Sequence, residues 1–209
     1  MFEERYYKIN GVKLPSVTTI LKIRNNPALN RWATNLGTEA SEQYSQETAD
    51  IGREIHRYIA RLVQGVRINQ LEWETLSEEI KNGIRAFQRF SMQAGFTFNE
   101  PEKLVYNLKL GYAGTLDCIG KADDYYVLID WKTGERFWSS YYAQITAYYK
   151  ALGNKKVKDL YVVNLSRNTG VPVIHMLPGK DCKPYWNYFK SCLSLFKDTK
   201  VIELLEGGR

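Results

Sequence analysis

The chain has 209 residues, 44% of them hydrophobic, with 15 Tyr, 8 Phe and 5 Trp. That is enough apolar and aromatic side chain for a real core, which excludes a disordered chain. The formal charge of +6 fits a nucleic-acid partner and is silent about fold; Cys118, Cys182 and Cys192 are odd in number and form no C-x-x-C pair, which argues against a disulfide framework, a structural zinc site and an iron–sulfur cluster.

Residues 6–14 carry Asn10-Gly11 between β-prone runs, the signature of a type I′ hairpin. Pro15-Ser16 opens a helix with Ser16 as N-cap and Val17, Ile20 and Leu21 on its apolar face. A second short helix is expected after Pro27, carrying Leu29 and Trp32. From 38 to 62 the pattern is helical, with Ile51, Ile55, Tyr58, Ile59 and Leu62 on one stripe. Another helix is predicted over 74–94, with Leu76, Ile80, Ile84, Phe87 and Phe90 inward and Gly95 ending it.

The pattern then changes to strand lengths: 103–109, 112–120 and 125–131, punctuated by Gly111, Gly120 and Asp123-Asp124. A helix over 138–152 closes at Gly153-Asn154. Strands over 159–165 and 171–177 flank a turn at 168–170, and a helix over 184–197 follows. The expected fold is α/β (α+β), a central mixed sheet flanked by helices. No repeat or long linker divides it, so one domain over 1–209 is expected, with 1–100 mainly helical and 101–209 the sheet core and last helix. No apolar run approaches the ~18–20 residues that span a bilayer. The charged opening MFEERYYKIN is unlike a signal segment, so a soluble, cytoplasmic protein with no membrane partner is expected.

Asp130 ends a strongly apolar strand and Lys132 lies two residues on. Strand side chains alternate faces, so the two project together. Asp117 ends the apolar part of the preceding strand and can lie beside Asp130 in a hairpin. Two carboxylates and one ammonium then converge at a sheet edge. Hard carboxylate oxygens suit Mg²⁺ or Mn²⁺. Such a metal activates water and stabilises charge on a phosphate, while a lysine can orient or deprotonate that water. An isolated D-x-K triplet is ordinarily a surface ion pair worth under ~1 kcal/mol. Here it comes with an upstream Asp, Gly turns and a downstream helix carrying Gln144 and Tyr148 one turn apart. His56 sits at the edge of the Ile51, Ile55 and Ile59 stripe, one turn after Gly52. It can be a metal ligand or a seam residue; His175 reads as structural.

The segments Gly52-Arg-Glu-Ile-His56, Gly114-Thr-Leu-Asp117, Asp130-Trp-Lys132 and Gln144-Ile-Thr-Ala-Tyr148 resemble the ordered motifs of RecB-type nucleases in the PD-(D/E)-x-K superfamily. Pro15-Ser-Val-Thr-Thr-Ile-Leu, with Trp32 downstream, is similar to phage-type exonucleases and to the mitochondrial genome maintenance exonuclease. The resemblance implies a restriction-endonuclease-like core with an N-terminal helical region and a setting in DNA repair or recombination. It implies Mg²⁺ or Mn²⁺ held by His56, Asp117, Asp130 and the main-chain carbonyl of Trp131. It further implies Lys132 as the water-orienting catalytic residue, Gln144 and Tyr148 in support, and Glu102, with Glu100 as its close competitor, as a further acidic position at the start of the first core strand. No Gly-x-x-x-x-Gly-Lys-[ST] loop is present, so no built-in ATP-driven helicase is expected.

The leading functional expectation is an exonuclease acting on DNA ends and favouring single strands, with Trp138, Tyr141, Tyr142, Tyr185 and Trp186 as stacking surfaces or as core. The runner-up is a structure-specific or nicking endonuclease on the same core. A non-catalytic DNA-binding module ranks below both. A two-carboxylate glycosidase would leave Lys132 without a role.

Overall fold

In the computed structural model, which describes residues 4–23 and 38–206, Asn10 and Gly11 turn the first hairpin at φ 49° and 82°. Both are left-handed, as a type I′ turn requires. The hairpin joins β1 (Tyr6–Ile9) to β2 (Val12–Pro15). Ser16 then caps α1 (Val17–Leu21), its hydroxyl accepting the Thr19 N–H at 2.9 Å. The helix expected after Pro27, with Leu29 and Trp32, lies outside the described residues.

Helix α2 (Thr38–Val63) matches its predicted stripe, and Ile55, Tyr58 and Ile59 are buried. The single helix predicted over 74–94 is instead two, α3 (Gln70–Thr75) and α4 (Glu78–Gln93). Ser77 breaks it by leaving helical ψ and capping α4, with Glu78 and Glu79 following in the first turn. A cap hydroxyl and two carboxylates stabilise a fresh helix start. Leu76 and Ile80 both remain buried, so the i,i+4 apolar spacing runs across the break and hides it.

The strands are β3 (Thr97–Asn99), β4 (Lys103–Asn107), β5 (Tyr112–Leu116), β6 (Cys118–Lys121), β7 (Tyr126–Lys132), β8 (Val157–Leu165) and β9 (Pro172–Pro178). Helix α5 (Ser140–Leu152) lies between β7 and β8, and α6 (Lys183–Glu206) follows β9, longer than predicted at both ends. A five-stranded mixed sheet has the order β3-β6-β7-β8-β9. Only β7 and β8 run parallel, and α5 supplies the crossover that a parallel pair needs.

Two expectations change here. Strand β3, at three residues, is too short for a periodic signal. The single strand predicted over 112–120 is β5 and β6, which bend apart at Asp117 and change partners. Strand β5 pairs with β4 in a separate ribbon, while β6 joins the main sheet. The strand after Glu102 is therefore not part of the central sheet.

Helices cover both faces of the sheet. Val127, Ile129, Trp131, Val163 and Leu165 point to the layer of α2 and α4. Leu128, Leu160 and Val162 point to the layer of α1, α5 and α6. Strand β7 is buried on both faces, which explains its nearly unbroken apolar run. Trp131 anchors the first layer, its ring 5.4 Å from Phe87 and 5.7 Å from Phe90 in edge-on contacts. Such pairs contribute ~0.5–1.5 kcal/mol beyond burial. Among the described residues, no helix is long and apolar enough to cross a membrane.

Candidate active site

Strand alternation sets the site. Trp131 points to the α2–α4 layer, so Asp130 and Lys132 emerge on the α5 side. They do so at the end of the central strand, not at a sheet edge as predicted. The β6–β7 register begins with Cys118 opposite Ile129, so Asp117, at the bend just before, is next in line to Asp130. The carboxylate of Asp130 is 1% exposed.

Asp117 is tied on two sides. One oxygen accepts the Trp131 backbone N–H at 2.8 Å. The other lies 3.3 Å from Nδ1 of His56. His56 comes from α2, and Gly52 allows its approach: a Cβ there would sit 2.9 Å from Thr133 Oγ1. The close neighbour is thus a side chain just past Lys132. The Asp117 carbonyl accepts the Glu102 N–H at 3.0 Å. A small cleft is lined by His56, Glu102, Asp117 and Trp131. Glu100 is instead spent on an exposed ion pair with Lys103. Of the two glutamates, Glu102 is the one at the site.

A second cluster surrounds Asp130. The Lys132 ammonium lies 2.6 Å from Asp130 Oδ2. It also donates to Gln144 Oε1 at 3.0 Å. The Gln144 amide donates to Asp130 Oδ1 at 3.0 Å and to the Tyr148 hydroxyl at 3.1 Å. One glutamine thus uses its acceptor on the lysine and its donors on the aspartate and the phenol. The i,i+4 spacing on α5 puts Gln144 and Tyr148 on the same face. Gly114 makes room for them: a Cβ there would lie 2.4 Å from Tyr148 Cε1. Gly114→Ala should therefore push the ring aside and lower stability by ~1–3 kcal/mol. Tyr148→Phe, which keeps the ring, should cost less; melting curves of the two variants give the comparison, and equal melting points would contradict the steric account.

The charges follow from these contacts. Burial pushes the Asp130 carboxyl up to about 6, and the Lys132 ammonium only partly offsets it. Burial would also raise Asp117, but His56, Lys132 and the Trp131 N–H together hold it below the ordinary carboxylate value. Burial disfavours charge on Lys132, yet the carboxylates of Asp130 and Asp117 override it and its pKa is raised. The same contest at His56 is settled by Asp117, and its pKa is raised. Burial, then the nearby carboxylates, lift the Tyr148 phenol well above its ordinary range. At neutral pH the site holds two carboxylates, one ammonium and a neutral phenol.

Donor chemistry here suits a small divalent cation. Asp130 Oδ2 is buried and accepts no properly directed hydrogen bond, even with Lys132 beside it. Carboxylate oxygens and an imidazole are ligands that Mg²⁺ and Mn²⁺ accept. Among the described residues, however, no group of three or more His, Cys, Asp or Glu side chains is placed to hold a metal ion by itself. Any cation would therefore complete its shell with water or substrate oxygens, as Mg²⁺ commonly does.

The aromatic side chains expected as stacking surfaces or as core are all half-buried. Tyr142, Tyr185 and Trp186 rest against the core, with Trp186 stacked on Phe189 at 5.7 Å. Tyr141 carries the Lys132 ammonium over its ring at 4.8 Å. Trp138 is half-buried, just ahead of α5. His175 stacks on Phe137 at 3.9 Å. Tyr7 is a neighbour that sequence reasoning missed: its hydroxyl is 2.9 Å from that of Thr115, two residues before Asp117. With a sequence separation of 108, no local spacing could link the two.

No family model and no curated protein matches the chain. Among solved structures it is similar to the crystal structure of SSO0001, at 13% identity and a TM-score of 0.45, over 86% of this chain and 75% of that one. It is also similar to an alkaline exonuclease, LHK-Exo, from Laribacter hongkongensis, at 13% identity and a TM-score of 0.37, over 69% of this chain and 84% of that one. The same enzyme in complex with dAMP gives 12% identity and the same TM-score.

Proposed function

We propose that this chain is a divalent-metal-dependent DNA nuclease, and specifically an exonuclease that acts at DNA ends and favours single strands. The observation that carries this reading is the meeting of Asp117 and Asp130 with a charged Lys132, which Gln144 bonds to both Lys132 and Asp130. Phosphodiester hydrolysis needs carboxylates to hold a metal and a cation to balance charge on the phosphate. A glycosidase would give that lysine nothing to do.

Asp117, Asp130, His56 and the main-chain carbonyl of Trp131 are the proposed holders of Mg²⁺ or Mn²⁺, with Glu102 as a further acidic group beside them. A bound ion would supply Lewis acidity, lowering the pKa of its water and neutralising phosphate charge. Lys132 stays protonated, because its carboxylate neighbours outweigh burial. Its role is thus to orient the attacking water and stabilise charge, not to accept the proton. Gln144 fixes the ammonium in place, and the neutral Tyr148 phenol anchors Gln144 by accepting from its amide. Asp117 restrains His56 and is itself restrained by the Trp131 N–H.

Linear, circular single-stranded and circular duplex DNA, each with Mg²⁺ or Mn²⁺, test the activity. Linear DNA should be degraded and closed circles spared. Rapid cutting of closed single-stranded circles would select the endonuclease alternative. Binding without cleavage under every divalent ion would select a DNA-binding module. Binding should weaken steeply with salt, since phosphate contacts release counterions.

His56 has its own test. As a ligand, its loss in His56→Ala should shift the Mn²⁺ titration of the rate to higher concentration, by ~10-fold or more. As a mere seam residue, its loss would lower the melting temperature and leave that titration in place.

A further inference from the structure

The β1–β2 hairpin reaches the candidate site, and its chemistry is not used by the mechanism above. Tyr7 Oη and Thr115 Oγ1 lie 2.9 Å apart. Two hydroxyls sharing one hydrogen bond leave one O–H free to donate elsewhere. The Arg5 guanidinium lies over the Tyr7 ring, 4.9 Å from its centroid. Arg5 is exposed and makes no ion pair among the described residues. Its nearest acid in sequence, Glu4, is engaged by the Tyr6 hydroxyl at 2.8 Å and Lys200 at 2.8 Å.

The backbone of Arg5 is anchored firmly. Its N–H donates to Thr19 Oγ1 at 2.9 Å. Its carbonyl accepts the Ser16 N–H at 2.8 Å and the Thr19 hydroxyl at 3.2 Å. Ser16 in turn forms a β-bridge with Ala113, four residues before Asp117. The Pro15–Thr19 segment singled out in the sequence thus rivets the hairpin beside the site.

We propose that Arg5 and Tyr7 form a phosphate subsite that grips the DNA strand next to the cleaved linkage. A guanidinium without a carboxylate partner, a spare hydroxyl donor and a rigid backbone together fit the two free oxygens of a phosphodiester. An aromatic ring beneath the guanidinium holds its plane without consuming its N–H donors. The subsite rests on the nuclease reading, and it makes the hairpin a determinant of substrate affinity and not of the chemical step.

The test uses the full chain with a 5′-labelled oligothymidylate, followed by fluorescence anisotropy in EDTA, so that nothing is cleaved. Arg5→Ala should raise Kd by ~10-fold and flatten the slope of log affinity against log salt by about 0.7, the value for one single-strand phosphate contact. Arg5→Lys should restore the slope and only part of the affinity, since a point charge replaces a fork. Tyr7→Phe should give a smaller loss, ~2–10-fold, with the salt slope unchanged. In cleavage assays KM should rise and kcat should stay within about twofold, as expected for uniform binding. The anchoring bonds of Arg5 are made by its backbone, so both Arg5 variants should keep the wild-type melting temperature. A folded Arg5→Ala protein with unchanged Kd and salt slope overturns the subsite while leaving cleavage by the wild type intact. A wild type that binds the oligonucleotide with loss on Arg5→Ala, yet never cleaves with any divalent ion, upholds the subsite and sinks the nuclease. A wild type that does not bind at all overturns both.

Discussion

Asp130→Ala is expected to abolish phosphodiester cleavage, by ~10³-fold or more, which is about 4 kcal/mol of transition-state stabilisation. The carboxylate is 1% exposed and touches both Lys132 and Gln144. No other acid can replace it from that strand position. Near-wild-type cleavage by a folded Asp130→Ala protein would sink the proposed site. The same residue predicts a pH signature in the metal-free protein. Its pKa is pushed up to about 6 in the fold, against about 3.9 in an unfolded chain. Between those values the folded state binds more protons than the unfolded state. Stability from this group is therefore present below about pH 4 and lost as pH rises through about 6. Asp117, whose pKa is lowered, changes protonation below that window. Melting curves in EDTA should show the wild type losing ground to Asp130→Asn from pH 4 to 6 and holding level above. A constant difference between the two proteins across that range would mean the carboxylate is not strained by burial.

What could be read in the sequence was what depends on local period. The alternation in Ile129-Asp130-Trp131-Lys132 placed the acid and the lysine on one face, and the fold has them there. The i,i+4 spacing likewise brought Gln144 to Asp130 and Tyr148 to Gln144. The bend at Asp117 was not legible, because the apolar run continues through Cys118 and Ile119 while the partner strand changes. Nor was the central position of β7, which depends on a parallel pairing made across an intervening helix. The aromatic side chains stayed open between two roles for a related reason. Composition cannot separate a ring on a groove from a ring against the core, and Tyr142, Tyr185 and Trp186 are against the core. Tyr7 and Thr115 show the limit most sharply, since only the docking of a distant hairpin brings them together.

Lys132→Ala should lose cleavage as completely as Asp130→Ala, yet for a different reason and with a different metal readout. Its side chain is 17% exposed, so truncation to Ala leaves space that water can enter. What is lost is the charge that neutralises Asp130 and that would orient the attacking water. With the lysine gone, nothing competes with a cation for Asp130 Oδ2, so Mn²⁺ affinity by calorimetry should be equal to or tighter than wild type. Complete loss of metal binding in Lys132→Ala would contradict the assigned role. The pKa of Lys132 is raised above its ordinary value of about 10.4. The ammonium therefore remains charged through the whole neutral and mildly alkaline range. If it oriented water as a cation, the wild-type rate should show no loss or gain between pH 7 and 9 that disappears in a Lys132→Arg protein. If it were the general base, the rate would instead climb steadily with pH toward the lysine's own titration. Arginine keeps the charge but is longer and planar, and it cannot occupy the space between Asp130 and Gln144 without displacing the amide that holds both. Lys132→Arg should thus recover little activity, ~10²-fold or more below wild type. Full activity in that variant would show that charge alone suffices and that Gln144 is not the positioning partner.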